Sequence, residues 1–252
     1  MKRLLPLACA FLACLFGIPT ATAASPVKNI VLVHGAYADG SSWAKVIPLL
    51  QAKGFNVVAV QIPLSSLADD VAATKRAIAL QTGPVILVGH SWAGMVISDA
   101  GNDPKVAGLV YIAAIVPDSG QSANDVLKPY PAPPGSAEGK PDASGYLTLT
   151  RKGVDEDFVP ELPAGERAVV HATQGPLNSH AFADKVATAA WTTKPSWFII
   201  VNDRMLQPQY ERDVAKHIHA TATTLTSGHV PMLSMPAKVA AVITDAANNA
   251  GK

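Results

Sequence analysis

Val85-Ile86-Leu87-Val88-Gly89-His90-Ser91-Trp92-Ala93-Gly94 is the stretch whose reading decides the fold. Its first four residues are apolar, three of them β-branched, and no polar residue alternates with them. That is the pattern of a strand buried on both faces. Gly89, His90 and Ser91 turn the chain, and a helix is predicted to follow. At such a strand-turn-helix bend a serine is forced outward, with the helix N-terminus aimed at negative charge developing beside it. The bend requires small neighbours. Gly89 lies two before the serine, but Ala93 stands two after it, where the usual G-x-S-x-G pattern has glycine, and Gly94 comes next. Taken alone, the motif also reads as an ordinary serine cap on a helix.

Working outward, the same alternation recurs. Ile30–Val33 reads as a buried strand ending at His34-Gly35, and Ser41 or Ser42 is placed to cap a helix running to about Lys53, ended by Gly54. Asn56–Val60 is the next strand. Ser65 or Ser66 caps a helix with Asp69 and Asp70 in its first turn, where the dipole favours anions. Beyond Ser91 come a strand over Leu109–Val116 and Pro117. The rhythm then breaks until Trp197–Val201, a helix over Pro208–His219, a strand over Thr221–Thr226 and a last helix over Pro236–Asn249. Strands alternating with helices predict an α/β fold, a mostly parallel twisted sheet flanked by helices.

The interruption, about residues 118–193, is rich in Pro, Gly and Ser and shows no buried strand. It reads as a cap insertion over the C-terminal ends of the strands. A disordered linker is the alternative. Phe158, Val159, Val169, Val170, Phe182 and Trp191 ask for burial and favour the cap, while the Pro-rich piece from Lys128 to Asp142 is the candidate for mobility.

The N-terminus differs in kind. Lys2 and Arg3 precede an apolar run from Leu4 to Ile18, and Ala21-Thr22-Ala23 has the small-x-small form of a signal-peptide cleavage site. Residues 1–23 are therefore expected to be a signal peptide and residues 24–252 the mature domain, exported to the periplasm or the medium. An N-terminal membrane anchor and a lipoprotein are the weaker readings. Cleavage takes Lys+Arg from 20 to 18 against 19 acidic residues, a net charge of −1. A near-neutral chain has no general electrostatic attraction to nucleic acid or anionic membranes, so no nucleic-acid partner and no stable membrane insertion of the mature protein are expected. Cys9 and Cys14 leave with the signal, which excludes a cysteine nucleophile, a disulfide and a cysteine-ligated metal. No Walker loop or dinucleotide fingerprint is present. No cofactor and no metal are expected.

A serine hydroxyl is a poor nucleophile without a base, a group orienting that base, and donors for the oxyanion. The base is expected late in the chain, after the last strand. His229 in Ser227-Gly228-His229-Val230-Pro231-Met232 fits, whereas His217 and His219 close a predicted helix and His171 and His180 belong to the cap. The orienting acid should follow a strand end. Asp203, after Trp197–Val201, is favoured, and Asp118, after Pro117, is the rival. The order Ser91, Asp203, His229 is the α/β-hydrolase order. The backbone N–H groups of Ala36 and Trp92 are the expected oxyanion donors. His34 and His90 read as structural. Tyr37, Trp92 and Met232 are candidate apolar walls of a substrate site, while Trp43, Trp191 and Trp197 read as core.

HGAYADGSSW at 34–43, VGHSWAG at 88–94, VND at 201–203 and SGHVPMLSMP at 227–236 together resemble the α/β-hydrolase superfamily, and within it the small single-domain branch of plant methyl-ester esterases, hydroxynitrile lyases and bacterial relatives. The resemblance covers nearly the whole mature chain and is weakest in the cap. It implies the same triad and the same oxyanion donors. Lyase members carry a threonine near the first-strand loop and a lysine after the histidine. Ala36 and Val230 stand in those neighbourhoods here, so cyanohydrin cleavage is not expected. Haloalkane dehalogenases and epoxide hydrolases of similar fold use an aspartate at the position of Ser91. The resulting expectation is a carboxylic-ester hydrolase acting on small or medium apolar esters. A perhydrolase, lactonase or amidase using the same triad is the alternative, and a non-enzymatic ligand-binding protein on this fold is the third reading.

Overall fold

The computed structural model describes residues 26–250. The expected signal peptide and both cysteines lie outside them. Among the described residues six parallel strands form the main sheet: β1 (Asn29–Val33), β2 (Asn56–Val60), β3 (Val85–His90), β4 (Val106–Ile112), β8 (Ser196–Val201) and β9 (Thr221–Leu225), ordered β2-β1-β3-β4-β8-β9. The helices are α1 (Ile47–Gln51), α2 (Leu67–Ala79), α3 (Ala93–Ala100), α4 (Ala123–Leu127), α5 (Arg151–Gly153), α6 (Ala164–Ala172), α7 (Pro208–His217), α8 (Pro231–Ser234) and α9 (Pro236–Asn249). None is long and apolar enough to cross a membrane.

The uninterrupted apolar strands have a direct structural cause. Val31, Val33 and Leu87 face one core, with Val71 and Ile78 of α2, Met95 and Val96 of α3, and Val214 of α7. Ile30, Leu32, Ile86 and Val88 face the other, with Leu50 of α1 and Val239 and Ile243 of α9. Alternate residues of each strand thus enter opposite cores, so the central positions of both faces are apolar. Only the edge strands β2 and β9 carry exposed residues.

Several boundaries differ from the sequence expectation. The first helix is broken: Asp39, not Ser41 or Ser42, caps a 3₁₀ turn at Gly40–Trp43 by accepting from the Ser41 N–H at 2.7 Å, and α1 begins only at Ile47. Pro48 explains the break, because within a continuous helix its ring would clash with the preceding turn. β4 starts at Val106 and stops at Ile112. Ala113–Val116 are apolar because they are buried in the two cores beyond the strand end, and Ala113 already has φ 44°. Ser66 caps α2 as expected, accepting from the Asp69 N–H.

The interrupting segment contains a second, antiparallel sheet, β5 (Gly139–Pro141), β6 (Tyr146–Leu149) and β7 (Leu177–Asn178), in the order β5-β6-β7. These strands have 3, 4 and 2 residues, too short to show a period in sequence. The Pro-rich piece forms a 3₁₀ turn at Pro134–Glu138, tied back to the main domain where the Gly135 N–H donates to the Arg204 carbonyl at 2.8 Å. Phe158 and Val159 are buried and Phe182 and Trp191 half-buried, but Val169 is 59% exposed.

Candidate active site

The residues singled out in the sequence converge where the parallel strands end, the usual place for sites in open α/β sheets. Ser91 follows β3 with φ 53°. A non-glycine residue held there costs about 1–3 kcal/mol, and such strain persists only where surrounding contacts enforce it. They do: the Ser91 N–H donates to the Ile112 carbonyl at 3.0 Å, and the Ser91 carbonyl accepts from the N–H groups of Gly94 and Ile115 at 2.9 and 3.1 Å. The geometry also explains Ala93. Its methyl group is buried without difficulty, while a Cβ at position 94 would lie 2.2 Å from the Ile115 carbonyl oxygen. The need for glycine falls on Gly94, one residue later than the usual pattern.

His229 Nε2 lies 2.8 Å from Ser91 Oγ, and His229 Nδ1 lies 2.6 Å from Asp203 Oδ2. A carboxylate only accepts, so Nδ1 carries the ring proton and Nε2 is left to accept from the Ser91 hydroxyl. The other oxygen of Asp203 accepts from the N–H groups of Met205 and Leu206 at 2.6 and 2.7 Å, which fixes the carboxylate. His229 and Asp203 are both buried, and Phe158 lies against the imidazole with ring centres 5.5 Å apart. Behind the imidazole, His90 Nε2 donates to the His229 carbonyl at 2.8 Å. Burial holds the His90 ring well below the ordinary histidine pKa, so it is a neutral strut. His34 is similar: its Nδ1 donates to the Gly35 carbonyl at 2.9 Å and its Nε2 accepts from the Ile62 N–H at 3.2 Å.

The backbone N–H groups of Ala36 and Trp92 have no hydrogen-bond acceptor among the described residues. Both residues line, with Ser91 and His229, a cavity of about 150 Å³. Its walls are mostly apolar and come from the main domain and the interrupting segment alike, with Tyr37, Ile115, Leu127, Phe182 and Leu206 among them. Tyr37 is therefore placed as the sequence suggested, and burial pushes its hydroxyl up to about 12. Met232 is not. It is wholly buried, on the core-facing side of the one-turn helix α8, in the cluster that also holds Trp43 and Val239. The rival acid Asp118 lies apart, paired with His217 at 2.8 Å in an exposed contact. His171 and His180 line no part of this cavity.

Two buried carboxyls were missed in the sequence. Asp70, read there only as a helix-dipole residue, accepts from the Trp92 indole N–H at 2.8 Å and the Leu64 N–H at 2.7 Å, anchoring the side chain next to Ser91. Burial raises it to about 6. Glu211, fully buried on α7, accepts from the Val201 N–H at 2.8 Å, while its second oxygen has no hydrogen-bond partner among the described residues. Burial first, and the nearby Asp203 charge second, push Glu211 well above the usual carboxylate range. No sequence pattern marks either residue.

The family model described as alpha/beta hydrolase family matches residues 30–242. A probable hydrolase, R7, from Phoma sp. is 26% identical over 86% of this chain and 97% of its own length. A pyrethroid hydrolase of Sphingobium wenxiniae is 27% identical over 88% of each. The crystal structure of a pyrethroid hydrolase, PytH, superposes with a TM-score of 0.78 at 24% identity, covering 90% of this chain and 99% of that one, a likeness of fold.

Proposed function

The chain belongs to the α/β-hydrolase family, and from that premise we propose that it hydrolyses carboxylic esters of small or medium apolar character, with Ser91 as nucleophile. The observation that carries this reading is the unbroken hydrogen-bonded line from Asp203 through His229 to Ser91, ending in an apolar cavity. Ser91 Oγ attacks the ester carbon while His229 Nε2 takes its proton. Asp203 holds the tautomer and stabilises the imidazolium. The N–H groups of Ala36 and Trp92 receive the oxyanion, preorganised donors whose loss costs about 10²–10³-fold each in comparable sites. His229 then returns the proton to the leaving alcohol, and water activated by the same imidazole frees the acid.

The test is turnover of p-nitrophenyl acetate and labelling by a fluorophosphonate probe in the wild type and Ser91→Ala. A loss of about 10⁴-fold or more and an unlabelled variant are expected. Undiminished turnover by Ser91→Ala would remove Ser91 from the mechanism.

A further inference from the structure

A second cavity, of about 260 Å³, lies beside the first. Tyr37 lines both. Phe158 stands edge-on to Tyr37, with ring centres 6.4 Å apart, and its other neighbour is the His229 ring. Val230, the residue after His229, also lines the second cavity. The two spaces therefore meet at Tyr37, which lines both, and the second adjoins the His229 side of the site through its walls Phe158 and Val230.

We propose that this second cavity receives the alcohol half of the ester, so that the enzyme takes esters joining a compact acyl group to a bulky, uncharged apolar alcohol. The inference rests on the serine-esterase reading above. Its core is the direction of proton transfer. His229 must deliver its proton to the leaving oxygen, so the alcohol half lies on the side of His229 and the acyl half points away from it. The acyl half then faces Trp92, Ile115 and Phe182 in the cavity of about 150 Å³. A dry apolar space on the order of 150 Å³ accommodates a benzene-sized group. The larger space on the alcohol side suits two rings.

The walls agree with that chemistry. Phe158, Leu162, Val170, Val230 and Leu233 are apolar. The charged groups on its walls are already engaged: Asp39 accepts from Ser41, and Glu166 of α6 pairs with Lys45 at 2.6 Å. Carboxylates at the border and no free cation disfavour an anionic alcohol half. A second observation points to an occupant. α6 buries none of its residues, yet it places Val169 and Val170 on this cavity, with Val169 59% exposed. Val170 packs against the core, whereas Val169 does not, and an apolar group in the cavity would remove the exposed Val169 surface from water.

Two isomeric esters separate the halves: biphenyl-4-ylmethyl acetate, with the two rings on the alcohol, and methyl biphenyl-4-ylacetate, with them on the acid. The wild type is expected to favour the first in kcat/KM by at least about tenfold. Val169→Trp and Thr173→Trp, which fill the second cavity, should bring that ratio back toward unity. A ratio within one protein is unmoved by uniform loss of folded enzyme. Equal rates for the two isomers, a preference for the second, or a ratio unchanged in both variants overturns the assignment while p-nitrophenyl acetate is still turned over through Ser91. Loss of the serine-esterase reading shows itself separately, as turnover retained in Ser91→Ala.

Discussion

Replacing Asp70 by Asn removes a charge that burial opposes, and the consequence is a tilt of stability with pH. The side chain is fully buried and receives two donors, the Leu64 N–H and the Trp92 indole N–H. Desolvation nonetheless dominates and places its pKa at about 6, against 3.8 for the unperturbed group. The folded state thus keeps a proton that the unfolded chain releases as pH rises from 3.8 to 6, so wild-type stability falls across that window. A difference of about 2.2 between the two pKa values corresponds to about 3 kcal/mol. Asn cannot ionise and escapes the fall. It has one acceptor oxygen where two donors converge, so one of them loses its partner, a penalty of about 1–3 kcal/mol at every pH. In urea unfolding from pH 4 to 7.5, Asp70→Asn should be less stable than wild type at pH 4. The difference should then move in the variant's favour by about 2.4 kcal/mol by pH 7, since part of the unfolded-state ionisation is already complete at pH 4. Other titrating groups are common to both proteins and drop out of the comparison. A constant offset, or a difference moving against the variant as pH rises, would refute the argument that burial outweighs the two hydrogen bonds.

Glu211→Gln tests the same principle behind Asp203. Glutamine retains an acceptor for the Val201 N–H, and thermal melts should show a stability advantage growing above the unfolded pKa of about 4.5, by up to about 1.4 kcal/mol per pH unit. An advantage that shrinks with pH would mean that Glu211 is charged in the folded protein. Ser91→Gly should abolish ester turnover while raising chemical-denaturation stability by about 1 kcal/mol or more, because φ 53° strains serine and not glycine; lower stability would show that the elbow is unstrained. Gly94→Ala should destabilise by about 1–3 kcal/mol in the same assay and depress turnover, since its methyl must displace the Ile115 carbonyl, whose own N–H holds the Ser91 bend.

How much of this was legible in the sequence depended on how local the determining physics is. β3 and the bend at Ser91 could be read because a doubly buried strand needs an unbroken apolar run and a tight bend needs small residues, and both demands fall on neighbours in sequence. The order of Ser91, Asp203 and His229 was readable for the same reason, since each follows a strand end. Ala113–Val116 misled because a loop buried in the core and a buried strand select the same residues. Met232 misled because position next to His229 in sequence says nothing about which side of a one-turn helix faces the core. Asp70 and Glu211 left no trace, because their significance lies entirely in partners: Asp70 meets the Trp92 indole across 22 positions, and Glu211 reaches back ten positions to the Val201 N–H.

The interrupting segment was the least legible part for a further reason. Its strands have two to four residues, and its apolar side chains divide between packing on the main domain and lining the two cavities. A residue selected to line a cavity obeys no helical or strand period, because the surface it must match belongs to a ligand. Val169 shows this. As a core residue it is misplaced, 59% exposed on a helix that buries nothing. As a wall of the space beside His229 it stands where an apolar side chain is required. Within the interrupting segment Val169 is therefore the first position at which to test substrate preference.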